Sequence, residues 1–175
     1  RSYLTALSRG RNLFGYAPYP NTVIDGFYKE AVKQGLGIMR IFDALNDFKN
    51  LTTAINAAKK EKAHVQAAIS YTTGDVFTLD YYMNYAKQLE NAGADSICVK
   101  DMAALLTPYY TYELVKKLKE TVKIPVQVHS HSTSGLGSMV LMKAIEAGAD
   151  YVDTAMSPLG LGTSHPATES MVAAL

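Results

Sequence analysis

Six short apolar runs, each followed by an amphipathic stretch, recur along this chain with the period of one strand plus one helix. They are Leu13–Tyr16, Ile38–Phe42, Val65–Tyr71, Ile97–Val99, Val126–Val128 and Tyr151–Val152, and their starts lie about 25 to 32 residues apart. The stretches between them carry helical spacing. Leu114, Val115, Leu118 and Val122 form one apolar stripe, with Lys116, Lys117, Lys119 and Glu120 on the other side. Two of these stretches end in nearly the same phrase, Asn91-Ala92-Gly93-Ala94-Asp95 and Glu146-Ala147-Gly148-Ala149-Asp150, and Gln34-Gly35-Leu36-Gly37 ends an earlier one. Glycine at such a point can adopt the left-handed conformation that stops a helix and releases the chain into the next strand.

An unbroken βα alternation folds as a barrel or as a doubly wound sheet. No Gly-x-Gly-x-x-Gly follows the first run, so the dinucleotide-binding form of the open sheet lacks its signature. Polar residues gather instead at the ends of several runs: Tyr16, Asp43, Tyr71, Lys100-Asp101, His129/His131 and Asp153-Thr154. Convergence from many strand ends describes the top face of a barrel. The expected fold is therefore α/β, a (β/α)8 TIM barrel present as an incomplete portion of about six βα units. Residues 1–175 are expected to form part of a single barrel domain. The chain opens at a strand and stops inside a helix, so it is expected to belong to a longer polypeptide.

Composition excludes several other classes. Hydrophobic residues make up 48% of the 175 positions, enough for one sizeable core. A net charge of +1, with no basic block and no acidic tail, leaves no electrostatic footprint for nucleic acid or an anionic membrane. No apolar run approaches the roughly 20 residues of a membrane span. Arg1-Ser2-Tyr3-Leu4 does not have a signal-peptide layout. The single cysteine, Cys98, lies in the apolar run Ser96-Ile97-Cys98-Val99 and reads as a small core residue. A reducing, cytoplasmic setting is expected.

The chemistry concentrates in a few motifs. Val126-Gln127-Val128-His129-Ser130-His131 is a strand ending in His-x-His, and alternation puts both imidazoles on one side at the barrel mouth. That pair suits a borderline divalent ion; the bland alternative is two ordinary histidines at a strand end. Lys100 lies where another strand meets the mouth. As an ammonium it would repel a cation, whereas as a carbamate it would be an anionic oxygen ligand. The residues alone favour the simpler reading, a lysine paired with Asp101 or Asp153 or reaching to solvent. Asp43 has two open readings, a carboxylate near a metal or substrate and a cap for the helix that follows, a role Asn46 could also fill. Arg9, Arg11 and Tyr16 flank the first run, where an arginine can grip a carboxylate by a two-pronged bond, although for any single arginine the residues alone favour a solvated surface position. Gly162-Thr163-Ser164-His165-Pro166 reads as the approach to a last helix, with Thr163 or Ser164 as the cap and Pro166 in the first turn.

Taken in order, these motifs become a specific pattern: Arg9-Gly10-Arg11-Asn12-Leu13-Phe14-Gly15-Tyr16, Phe42-Asp43-Ala44-Leu45-Asn46-Asp47, Ser70-Tyr71-Thr72, Val99-Lys100-Asp101-Met102-Ala103 and His129-x-His131-x-Thr133-x-Gly135. Val152-Asp153-Thr154-Ala155 and Gly162-Thr163-Ser164-His165-Pro166 follow. Over essentially its whole length the chain resembles the carboxyltransferase domain of biotin-dependent enzymes, a family that includes the oxaloacetate decarboxylase α subunit, pyruvate carboxylase and the matching transcarboxylase subunit. The resemblance implies that His129 and His131 bind the metal and that Lys100, carbamylated, is a further ligand. It implies that Arg9 holds the carboxylate of the keto acid, with Tyr16 close to the same pocket and Asp43 lining it. The family's remaining ligand, an aspartate on the strand before Leu13, and the threonine that shuttles a proton to carboxybiotin are both absent. Ala104 stands where glycine is usual, and Arg11 where a small or polar residue is common.

Implied too are a divalent metal (Zn2+ foremost, Mn2+ or Co2+ otherwise), oxaloacetate or pyruvate as substrate, and biotin carried on another domain or subunit. A homo-oligomer is expected. The short Tyr71–Tyr81 stretch and the closing Ser-His-Pro-Ala-Thr-Glu favour the oxaloacetate decarboxylase α subunit over pyruvate carboxylase. Other readings are an acyl-CoA-dependent lyase or synthase of related barrel type, from which Lys100 separates this chain, and a non-catalytic barrel remnant.

Overall fold

The computed structural model describes residues 2–175; Arg1, where the expected domain begins, lies outside the described residues. Strands β1 (Leu4–Ser8), β2 (Leu36–Ile41), β3 (His64–Ser70), β4 (Ser96–Asp101), β5 (Val126–Ser130) and β6 (Tyr151–Val152) form one parallel sheet in sequential order. Helices α1 (Asn21–Lys33), α2 (Phe48–Lys60), α3 (Leu79–Asn91), α4 (Pro108–Thr121), α5 (Gly137–Glu146) and α6 (Thr168–Ala174) alternate with them. Strand order separates the two architectures left open by the βα pattern. A doubly wound sheet reverses direction at its switch point, whereas this one runs β1 to β6 without reversal, as a barrel wall does.

Alternation along each strand creates two interiors. Met39, Ile41, Val65, Ala67, Ile69, Ile97, Val99, Val126 and Val128 pack with Leu51, Ile55, Tyr82, Leu89, Leu114 and Leu118 of the helices in one core. The opposite face carries Arg40, Gln66, Lys100, Gln127 and His129, all but Gln127 buried, with a small apolar cluster of Phe42, Ala68 and Cys98. Cys98 is fully buried, and that burial pushes its thiol up to about 12. It is a core residue, as its neighbours in sequence imply.

The helix stops follow the glycine logic. Gly35, Gly93 and Gly148 take φ of +99°, +92° and +94°. The repeated Gly-Ala-Asp phrase has a second function. Asp95 accepts the Val65 N–H at the start of β3 and pairs with Lys59 of α2; Asp150 accepts the Val126 N–H at the start of β5 and pairs with Lys119 of α4. Each aspartate thus ties the end of a helix to the start of the strand that follows that helix.

Two elements lie elsewhere than the sequence indicates. Leu13–Tyr16 is not a strand: β1 ends at Ser8, Gly10–Asn12 form a 3-10 turn, and Leu13 has φ +51°. Leu13 is apolar because it plugs the core, at 2% exposure, whereas β1 interleaves its leucines with Thr5 and Ser8 and so makes a weaker pattern. The strand before Leu13 is therefore β1, and its Leu-Thr-Ala-Leu-Ser contains no aspartate. The last helix begins at Thr168 with Ala167 as its cap, so neither Thr163 nor Ser164 caps it and Pro166 precedes it. Pro166 instead accepts the Ala155 N–H, pinning this loop beside the end of β6. Ala104 has φ +54°, a left-handed conformation that glycine adopts without penalty, which accounts for glycine's suitability there.

Candidate active site

Strands β4 and β5 pair so that Lys100 lies in register with His129, and both point to the polar face. His131, just past the end of β5, lies on the same side; the two imidazole centroids are 5.0 Å apart. A third imidazole joins them. His165, from the loop after β6, has its ring centroid 4.4 Å from that of His129 and 4.6 Å from that of His131. One ring nitrogen from each of the three lies within 4.8 Å of the others. The sequence puts His165 in a helix approach. Nothing local separates it from any other loop histidine, because the two rings it meets belong to residues far back along the chain.

Hydrogen bonding sets the tautomers. His131 Nδ1 is 2.6 Å from the Thr163 carbonyl and His165 Nδ1 is 2.9 Å from the Ser130 carbonyl. A carbonyl only accepts, so both Nδ1 atoms carry the proton and both Nε2 atoms are left with a lone pair. His129 Nδ1 donates to Asp153 Oδ2 at 2.6 Å. Arg40 Nη1 is 3.2 Å from the same nitrogen, but it is a donor facing a donor, so the nearer carboxylate takes the bond. His129 Nε2 and His131 Nε2 then face each other at 3.2 Å as two acceptors. Two lone pairs converging at that distance can be bridged by an electrophile, and a divalent cation bound by imidazole nitrogen is one that suits them. The residues fit a metal.

Asp153 is the anchor of this arrangement. Its carboxylate also receives Arg40 Nη1 at 2.5 Å, Arg40 Nη2 at 3.3 Å and the Gln127 amide. Burial pushes its carboxyl up, but the hydrogen bonds from His129 and Arg40 outweigh burial and hold it well below the usual carboxylate range. His129 is shifted down, chiefly by burial, with Asp153 opposing and His165 and Arg40 adding to the shift. A neutral His129 is the form a metal requires.

Lys100 is 5% exposed, and among the described residues no hydrogen bond or ion pair includes its amine. Neither carboxylate considered as its partner is free. Asp101 accepts the Leu105 and Leu106 N–H groups and the Ser130 hydroxyl, and Asp153 is occupied as above. Lys100 Nζ instead lies 4.7 Å from the centroid of the Phe42 ring. Burial is the main cause that lowers its pKa, with Arg40 and Arg9 adding to it against Cys98 and Asp101. The Arg9 guanidinium is 5.7 Å from the same Phe42 ring and 5.8 Å from the ring of Tyr16, itself 97% exposed. An arginine and a lysine amine thus share one aromatic ring with no carboxylate between them among the described residues, an arrangement that accommodates an anion. Arg11 takes no part in it.

Asp43 sits apart from this cluster's contacts. Its Oδ1 accepts the Leu45 and Asp47 N–H groups and its Oδ2 the Asn50 amide, so both oxygens serve its own loop. The helix cap is Asp47, which accepts the Lys49 N–H. Asp43 is therefore a loop organiser and not the cap of that helix.

Residues 41–175 match the HMGL-like family. Across 172 residues the chain is 57% identical to a pyruvate carboxylase subunit of Methanocaldococcus jannaschii, covering 98% of this chain and 30% of that protein. It is 46% identical over 172 residues to the methylmalonyl-CoA carboxyltransferase 5S subunit of Propionibacterium freudenreichii subsp. shermanii, covering 97% of this chain and 34% of that one. The carboxyl transferase domain of Rhizobium etli pyruvate carboxylase, solved with 3-bromopyruvate, superposes with a TM-score of 0.97 at 41% identity, over 99% of this chain and 30% of that chain. The chain spans about a third of the length of these relatives.

Proposed function

Because the chain belongs to the HMGL-like family, we propose that it is the metal-holding and keto-acid-holding part of a biotin-dependent carboxyltransferase domain. The observation that carries this reading is Lys100: a buried residue whose amine has no carboxylate partner among the described residues, in register with His129. In this reading His129, His131 and a carbamylated Lys100 hold the divalent ion, with Zn2+ foremost on the chemistry of imidazole donors. Carbamylation consumes a neutral amine and a molecule of CO2, and burial of Lys100 favours the neutral form. An acyl-CoA lyase of related type would have no use for such a lysine.

Arg9 would bind the carboxylate of the keto acid by a bidentate contact, with Tyr16 and Phe42 flanking it. Asp153 holds the Nδ1 proton of His129 and thereby keeps the Nε2 lone pair turned to the ion. The ion, when bound, supplies Lewis acidity for the enolate that forms as a carboxyl group leaves or arrives. The partner this requires is a biotinyl carrier domain or subunit, and a homo-oligomeric assembly and a cytoplasmic setting remain part of the reading. Two directions of the same chemistry are open. The closing sequence favours oxaloacetate decarboxylation. Two relatives named as pyruvate carboxylase subunits, at 57% and 46% identity, favour carboxylation of pyruvate, and we adopt that direction.

The test uses the full-length protein. It should contain about one divalent ion per chain, lose it in His129→Ala/His131→Ala, and show a carbamate carbon resonance after labelling with 13C-bicarbonate. Lys100→Ala should abolish carboxyl transfer. A bare Lys100 amine in a metal-loaded protein would overturn the assignment. Biotin-dependent formation of oxaloacetate from pyruvate, against its decarboxylation, decides the direction.

A further inference from the structure

The Arg9 loop is held from outside the metal centre, by the first turn of α2. Asn50 Nδ2 donates to Asp43 Oδ2 at 2.7 Å and reaches Asn12 Oδ1 at 3.4 Å. The backbone closes on the same residue: a Cβ at Gly10, where φ is +45°, would lie 2.6 Å from the Asn50 carbonyl oxygen and 3.0 Å from Asn50 Nδ2. Asn12 and Gly10 belong to the turn that carries Arg9, and Asp43 follows Phe42, the ring under the Arg9 guanidinium. One side chain therefore joins the two loops on which the anion pocket is built.

From this juxtaposition we infer that Asn50 is a positioning residue for Arg9, fixing where the guanidinium meets a keto-acid carboxylate and so setting KM for that substrate. The inference rests on the reading of Arg9 as the carboxylate-binding residue. Asn50 is not needed to start its helix, because Asp47 caps it through the Lys49 N–H. Its amide is the donor both acceptors share. Without that donor, Asp43 keeps its own loop through the Leu45 and Asp47 N–H groups, while the Asn12 turn loses its side-chain hydrogen bond to α2.

Steady-state kinetics of the full-length protein test this, with pyruvate or oxaloacetate as the varied substrate. Asn50→Ala should raise KM about tenfold while kcat stays within about twofold and metal content is unchanged. Asn50→Asp has the same size but places an acceptor where the donor stood. A packing role predicts a KM close to wild type for it; the positioning role predicts a rise at least as large as for alanine. In an Arg9→Lys background Asn50→Ala should add less than about twofold, because the group it positions is gone. Independent, multiplying effects of the two substitutions, or an unchanged KM in Asn50→Ala, would overturn the inference. An Arg9→Lys protein with wild-type kinetics would instead sink the assignment of Arg9, and this inference with it.

Discussion

Replacing Asp153 with asparagine changes one atom and should uncouple the metal site from the rest of the inner face. Asp153 Oδ2 now accepts from both His129 Nδ1 and Arg40 Nη1, and Oδ1 accepts from Arg40 Nη2 and Gln127. An amide offers one acceptor and one donor, so one of these pairs must face an N–H. If the oxygen stays toward His129, the NH2 meets Gln127 and Arg40. Gln127 can turn its own amide, but only by losing the bond it accepts from Gln66 at 2.8 Å. The bond to His129 also changes from charge-assisted to neutral, which costs about 1 kcal/mol or more. Substitutions of such outer partners lower metal affinity by about 10- to 100-fold, equivalent to roughly 1.4–2.7 kcal/mol. Arg40, with its side chain 11% exposed, loses its only carboxylate partner among the described residues, and an orphaned buried charge costs about 3–5 kcal/mol of stability. Two measurements on the full-length protein separate these effects: Zn2+ affinity by competition with a chromophoric chelator, and urea unfolding of the metal-free form. Asp153→Asn should lose on both. Arg40→Met/Asp153→Asn should recover much of the stability, having no charge to orphan, yet keep the weakened Zn2+ binding. A Zn2+ affinity within twofold of wild type for Asp153→Asn would refute the claim that the carboxylate governs the His129 tautomer.

Three other outcomes follow from the same geometry. Lys100→Met removes an amine without a protein partner at nearly constant volume and should leave the metal-free protein at least as stable as wild type in bicarbonate-free buffer while abolishing metal-dependent activity; lower stability would show that the amine has a partner after all. Gly10→Ala meets the Asn50 carbonyl at a backbone conformation that resists a side chain, so a loss of about 2–3 kcal/mol by urea denaturation is expected, and a neutral result would contradict the close approach. The metal-free protein should lose stability on acidification from pH 7.5 to 5.5. His129 has a folded pKa below its ordinary 6.5, so the unfolded chain takes up the proton first, and stability present above that value is lost as pH falls through it. A flat pH profile of the urea midpoint, or one that rises toward acid, would count against a neutral buried His129.

Much of the architecture was legible because it is written in nearest-neighbour patterns. The βα period, the Leu114–Val122 stripe, the glycine stops and the shared side of His129 and His131 all depend on residues a few positions apart, and the structure bears them out. The first strand was not legible, since Leu4-Thr5-Ala6-Leu7-Ser8 has less apolar contrast than the run at Leu13, which a turn buries. The chain's own chemistry also marked Lys100, but not whether it was paired. That depended on where Asp101 and Asp153 spend their oxygens, and both spend them on groups from other strands and loops. Likewise, Arg40 and His165 joined Asp153 and the histidine pair only when β2, β5, β6 and the loop after β6 came together, bringing side chains from distant parts of the chain into one cluster. A parallel sheet gives each strand a local pattern of faces, which the sequence carries; which polar group meets which across strands is decided by register and by the curvature of the sheet, which only the folded chain possesses.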